Sequence, residues 1–248
     1  MNHRSIHQSP IPILTYHQIA VAPEKGAAFR SLYVAPKDFA WQMRLLSWLG
    51  YRGLSMTDLQ PYLAGERSGK VVGITFDDGY VNNLTHALPV LQRYGFSSTC
   101  YAVSQLLGCT NIWDRDVGIQ QTELMSGDEL LQWGHGGQEV GAHTRNHVHL
   151  KALDASSSRA EIEVCKTELE TITGMPIRHF CYPYGEYAAE YAAMVADAGY
   201  LTATTTQRGR CVNGEDLYAL PRVPIVRSTS LATFLLKIAT AYEDRRRA

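Results

Sequence analysis

Short apolar runs, bounded by Gly, Pro or polar residues, alternate along the chain with longer stretches in which apolar residues recur at helical spacing. The runs predict strands over residues 11–15, 51–54, 71–76, 98–103, 139–142, 178–182, 200–204 and 222–226. Between them, Phe39, Met43, Leu46 and Leu49 share one face of a helix over 36–49, stopped by Gly50. Ser55 with Asp58, and Ser126 with Glu129, have capping-box spacing and open helices reaching about residues 63 and 134. Further helices are expected over 83–94, from Asp154 or Ser156 to Thr173, over 187–198 and over 230–242. Pro89 predicts a kink or a late start in the first of these. Residues 18–36 and 104–125 have no period and read as loops, the second long enough to carry function.

Strands alternating with helices imply parallel βαβ units in a single α/β domain. A doubly wound open sheet and a closed barrel both satisfy that order. The polar residues decide between them. His17 follows the first strand, Asp77 and Asp78 the third, His143 the fifth, and Pro183-Tyr184 the sixth. In a barrel all such ends meet at one face, where sites are built. In an open sheet the first and sixth strands lie too far apart to share one.

Composition narrows the function by exclusion. Net charge is −1, and the one basic cluster is Arg245-Arg246-Arg247, so a nucleic-acid partner has no electrostatic basis. No apolar run approaches the ~20 residues of a membrane span. The N-terminal MNHRSIHQSPIPIL lacks an apolar signal segment, so a cytoplasmic location is expected. Five scattered cysteines, with no CxxC pair, read as buried thiols rather than a disulfide or thiolate-metal framework.

The candidate chemistry centres on VVGITFDDGY, residues 71–80. The apolar run implies burial, and two adjacent buried carboxylates repel unless a cation or a shared proton relieves them. A partner set lies in HTRNH, residues 143–147, where His143 and His147 stand four apart, close enough on a helical turn or tight loop to bind one ion. Asp78, His143 and His147 then form a three-ligand site with positions left open, the mark of a catalytic rather than a structural metal. Imidazole donors favour zinc, with cobalt or nickel as alternatives. Asp77, beside the proposed ligand Asp78, is placed to act as base. Trp113 and Asp114, in the long loop, are candidates to wall the site.

TFDDGY at 75–80, HTRNH at 143–147 and YPYG at 182–185, in this order and rough spacing, resemble the polysaccharide deacetylases with the NodB homology domain, carbohydrate esterase family 4. The resemblance spans about residues 11–226. It implies a distorted (β/α) barrel of seven or eight strands; the chain itself reads as one domain over residues 11–242 with a flexible N-terminus (1–10, with His3 and His7) and a basic C-terminal tail (243–248). The resemblance also implies metal-dependent removal of N-acetyl groups from N-acetylhexosamine units of a glycan. Asp77 is then the base, and Asp78, His143 and His147 hold a divalent ion. The Tyr184 backbone N–H would serve the developing oxyanion.

Two departures from the family pattern stand out. The third motif commonly has an arginine, paired with the catalytic aspartate, where this chain has Cys181; Arg222, in LPRVPI, is the candidate substitute. The usual C-terminal general-acid histidine is missing, since no histidine follows His179; ILTYHQI instead puts His17 after the first strand. That order resembles the circularly permuted branch, similar to deacetylase domains acting on poly-N-acetylglucosamine, with His17 as the acid. Two other readings are an amidohydrolase of this fold acting on a small non-sugar amide, and a non-catalytic glycan-binding module. A dehalogenase-like phosphatase wants two aspartates separated by one residue, and here they are adjacent.

Overall fold

The computed structural model describes residues 9–247. His3, His7 and most of the proposed flexible N-terminus lie outside them. In chain order the elements are β1 (Ile13–Tyr16), β2 (Gln18–Ile19), β3 (Tyr33–Val34), α1 (Pro36–Trp48), β4 (Arg52–Leu54), α2 (Met56–Leu63), β5 (Val71–Phe76), α3 (Leu88–Tyr94), β6 (Thr99–Ala102), α4 (Gly127–His135), β7 (Glu139–Ala142), α5 (Ala155–Thr173), β8 (His179–Cys181), α6 (Ala189–Asp197), β9 (Thr202–Arg208), β10 (Leu220–Pro224) and α7 (Leu231–Ala239).

Seven strands close a parallel ring in the order β1-β10-β9-β8-β7-β6-β5, and β5 pairs back onto β1 from Ile13↔Gly73 to Tyr16↔Phe76. That pairing excludes the open sheet. One of the eight predicted strands, β4, is not a full barrel stave. It pairs with the first half of β5 (Arg52↔Val71 to Leu54↔Gly73), while β6 takes the last two residues of the same edge (Thr75↔Thr99, Phe76↔Cys100). A short strand is thus wedged between β5 and the approach to β6, and the ring is a (β/α)7 barrel.

Side-chain alternation sorts the barrel residues into two sets. Leu14, Tyr16, Ile74, Phe76, Cys100, Ala102, Val140, Ala142 and Phe180 pack with the helices in the larger core cluster. Odd-numbered neighbours such as Ile13, Val71, Tyr101 and Cys181 form a second cluster on the other face. All of β5 is buried, as a strand packed on both faces requires. Continuing the odd set past the strand ends reaches His17, Asp77 and His143.

Three local features differ from the sequence pattern. Segment 18–36 contains a two-residue parallel pairing, β2 with β3. The helix expected over 83–94 starts as a π-helical turn over Asn83–Ala87 and becomes α-helical only at Leu88, with Pro89 in its first turn where a missing N–H costs nothing. The terminal segment is tied to the barrel rather than free. Glu243 is buried between Arg208 and Lys237, Asp244 takes Arg210 at 2.8 Å, and Arg247 pairs with Glu215.

Candidate active site at the strand ends

Asp77 leaves β5 at the rim of the barrel, and Arg222 reaches it from β10. The guanidinium grips the carboxylate with both prongs, Nη1 to Oδ1 at 2.7 Å and Nη2 to Oδ2 at 2.8 Å. Arg222 is itself fixed by donating to the Thr205 carbonyl (2.8 Å), Thr75 Oγ1 (3.2 Å) and Cys181 Sγ (3.2 Å). The Cys181 position therefore touches the arginine that comes from a different strand. His17, past the end of β1, places Nε2 3.9 Å from Asp77 Oδ2 and keeps about a quarter of its side chain exposed. Burial alone would raise the Asp77 carboxyl, but Arg222, with His17 and His143, holds it below its ordinary value.

Asp78 turns the other way. Its Oδ1 lies 3.4 Å from His143 Nε2 and 3.3 Å from His147 Nε2, and the three donor atoms fall within 4.8 Å of one another, all on buried residues. Ligand–zinc bonds of about 2.0–2.1 Å in a tetrahedron put neighbouring donors about 3.3 Å apart. The spacing fits such an ion. The far nitrogens fit it too: His143 Nδ1–H donates to the Cys181 carbonyl at 2.7 Å, and His147 Nδ1 meets Tyr184 Oη at 3.2 Å, leaving both Nε2 atoms to face Asp78. Burial opposes charge on Asp78, but hydrogen bonds from the two histidines hold its carboxyl well below the ordinary range. The HTRNH segment is a tight loop, not a helical turn.

These groups line a cavity of about 320 Å³ walled by Trp113, Tyr182, Tyr184, Phe29, Thr205 and Thr206, among others. Trp113 stacks on His147 (centroids 4.2 Å apart), and Tyr184 is sandwiched against His149 at 3.8 Å. Backbone strain concentrates here. The non-glycine residues with left-handed backbone, among those described, are Phe29, Asp78, Thr144, His147 and Tyr184. Four line the cavity, and Thr144 lies between the two loop histidines. Each costs roughly 1–3 kcal/mol and persists only where surroundings impose it. Gly185 shows how tightly the YPYG turn is packed: at φ +71°, a Cβ there would sit 1.9 Å from Thr206 Oγ1.

Every residue singled out for the site is thus at one face: Asp77, Asp78, His143, His147, Tyr184, Arg222 and His17 all line the cavity. Three others went unnoticed in the sequence. Asn83 Nδ2 donates to the His17 carbonyl at 2.9 Å, Asn82 Oδ1 accepts from Ile19 N at 2.9 Å, and Thr75 supports Arg222. The asparagines lie three and four residues past Gly79 of the DDG turn, so one segment carries both aspartates and the brace for His17. Thr75 was visible as a polar residue inside an otherwise apolar strand.

The architecture and the site together define a parallel-barrel protein with an arginine-held carboxylate beside a two-histidine, one-carboxylate set at the strand ends. The polysaccharide deacetylase family model matches residues 64–203, and the chain belongs to that family. The match holds Asp77, Asp78, His143, His147 and Tyr184 and omits His17 and Arg222, which come from the neighbouring first and last barrel strands. The chain is 27% identical over 226 residues to YxkH of Bacillus subtilis (strain 168), a protein named as a polysaccharide deacetylase, covering 90% of this chain and 74% of that one. It is 24% identical over 200 residues to the poly-beta-1,6-N-acetyl-D-glucosamine N-deacetylase of Staphylococcus epidermidis, 77% of this chain and 67% of that one. The fold is similar to that of the Streptococcus pyogenes deacetylase PplD in complex with acetate, with a TM-score of 0.81, 24% identity, and coverage of 93% and 99%. Among the described residues no helix is long and apolar enough to cross a membrane.

Proposed function

We propose that this protein hydrolyses the N-acetyl group of N-acetylhexosamine units in a glycan, releasing acetate and a free amine with the help of a divalent metal. One observation carries the reading. A buried carboxylate, held ionised by a bidentate arginine, sits next in sequence to the carboxylate of a donor trio spaced for one ion.

Asp78, His143 and His147 would hold that ion, zinc before cobalt or nickel. Bound there, it would supply Lewis-acid polarisation of the acetyl carbonyl and positive charge beside Asp77. Asp77 accepts the proton of the attacking water. Arg222 keeps the carboxylate ionised and fixes its plane, doing from β10 what the third-motif arginine does elsewhere in the family. The Tyr184 backbone N–H, in the strained YPYG turn, donates to the oxyanion as the carbonyl carbon becomes tetrahedral. His17, with Nε2 3.9 Å from Asp77 Oδ2, gives its proton to the leaving nitrogen, so the C–N bond breaks to a neutral amine. Trp113 and Tyr184 offer aromatic faces to the sugar.

The test is acetate release from an N-acetylglucosamine oligomer and from a small non-sugar amide, before and after chelation. The proposal expects release from the oligomer, its loss with chelator and its return with zinc, cobalt or nickel. Turnover of the simple amide alone would favour a general amidohydrolase. Binding of the oligomer without release would favour a glycan-binding module.

A further inference from the structure

The HTRNH loop is strained at both Thr144 and His147, and its own side chains do not explain why it keeps that shape. The surroundings do, and they come largely from one face of α5. Glu161, Cys165 and Glu168 are spaced four and three apart, so they form one stripe along that helix. Glu161, 9% exposed, turns its carboxylate onto the loop backbone: Oε2 accepts from Arg145 N at 2.9 Å and Asn146 N at 3.0 Å, and Oε1 accepts from Asn146 Nδ2 at 2.7 Å. Cys165 Sγ donates to the Thr144 carbonyl at 3.1 Å. Glu168 accepts from the Arg145 guanidinium at 2.8 Å, and also from Ser104 Oγ (2.6 Å) and Gln105 Nε2 (2.5 Å). Ser104 N and Gln105 N in turn donate to the carbonyls of Thr144 (3.3 Å) and Arg145 (2.9 Å).

We infer that this stripe is a clamp that positions His143 and His147 for the ion, with Glu161 as its main positioning residue. The inference rests on the metal site proposed above and extends it to residues that touch neither ion nor substrate. Two consecutive backbone N–H groups converging on one buried carboxylate fix the peptide planes between the two histidines. Without that anchor the left-handed residues at 144 and 147 can relax toward ordinary backbone, and the Nε2 atoms separate. The ion then loses a ligand at the correct distance, while Ile162, Cys165 and Leu169 keep α5 packed into the core and the barrel stays folded.

The probe is Zn²⁺ itself, titrated into the full-length, metal-stripped protein against a chromophoric chelator. The visible spectrum of the Co²⁺-loaded form reports ligand geometry, and melting of the metal-free protein reports the fold. E161A is expected to weaken zinc binding by about 10–100-fold, in the range that loss of an outer partner of a metal ligand costs. It should also alter the cobalt spectrum, while metal-free melting changes little. E161Q keeps the volume and loses the charge; it should shift zinc affinity in the same direction by less, and it carries the test if E161A does not fold. Zinc affinity and cobalt spectrum equal to the parent's in the folded variants would overturn the clamp. Failure of the underlying metal site looks different: the parent itself would bind no zinc, or H147A would bind it as well as the parent.

Discussion

The two ends of the barrel each bury a histidine against a carboxylate, and only one end is built to react. At the lower end, Glu139 and His179 are the first residues of β7 and β8. Glu139 accepts from Thr57 Oγ1, from Thr99 Oγ1 at 2.5 Å and from Thr57 N at 3.2 Å. His179 places Nε2 3.0 Å from Thr57 Oγ1 and Nδ1 2.8 Å from Thr202 Oγ1, so both ring nitrogens are occupied by hydroxyl partners. The backbone is ordinary, and the network ties α2 to the barrel floor. At the upper end Asp78 and His147 sit on left-handed backbone, the groups open into a cavity, and Asp78, His143 and His147 bring three donor atoms within 4.8 Å of one another. Buried His–carboxylate pairs are therefore not a functional signal alone. Strain, a cavity and unspent ligand capacity separate the reactive end from the structural one.

Substitutions at the two ends should divide along that line. The largest effect is expected at the upper rim. Asp77→Asn should cut turnover by about 10²–10⁴-fold, the range of a lost general base, while zinc content by elemental analysis is retained. His17→Ala should cost about 10²-fold, more for substrates with a poor leaving amine, measured as acetate release across substrates of graded amine basicity.

Arg222→Met leaves a buried carboxylate unpaired, which should destabilise the fold by about 3 kcal/mol in denaturant melts. It should also move the acid limb of activity to higher pH. The sign follows from Asp77: the guanidinium holds its carboxyl low, so removing it lets burial raise the pKa, and the base is protonated at a pH where the parent is still ionised.

At the lower end, His179→Asn should change stability by about 1–3 kcal/mol, as expected for disturbing a buried hydrogen-bonded group, and leave kcat unchanged. Burial lowers the His179 pKa, only partly offset by Glu139. Its contribution to stability is thus complete above the unfolded value of about 6.5 and fades as pH falls below it, because the unfolded chain takes up the proton first. The variant should flatten that part of the stability–pH curve, read by melting at stepped pH. Loss of turnover in His179→Asn, or none in Asp77→Asn, would erase the contrast between the two ends.

Much of this was legible in the chain because the strongest signals are local. A fully buried strand such as β5 declares itself as an unbroken apolar run, and the carboxylates closing it are anomalous on physical grounds. Arg222 stood out once Cys181 was seen in the third motif. What stayed hidden is tertiary. Two-residue strands such as β2 and β3 have no period to detect. The wedge formed by β4 depends on which half of β5 each neighbour occupies, which no spacing encodes. Glu161, Cys165 and Glu168 look like ordinary residues of an amphipathic helix until the loop they hold is placed against them. Asn83 reads as a helix-start residue and Asn82 carries no signal, whereas both side chains reach back to the β1–β2 segment.

Diffraction at the zinc absorption edge, from crystals grown with zinc, tests the central claim most directly. The account predicts one strong anomalous peak within bonding distance of Asp78 Oδ1, His143 Nε2 and His147 Nε2, beside the Asp77–Arg222 pair. A peak bound by other residues, or no peak at those three atoms in zinc-saturated protein, would contradict it.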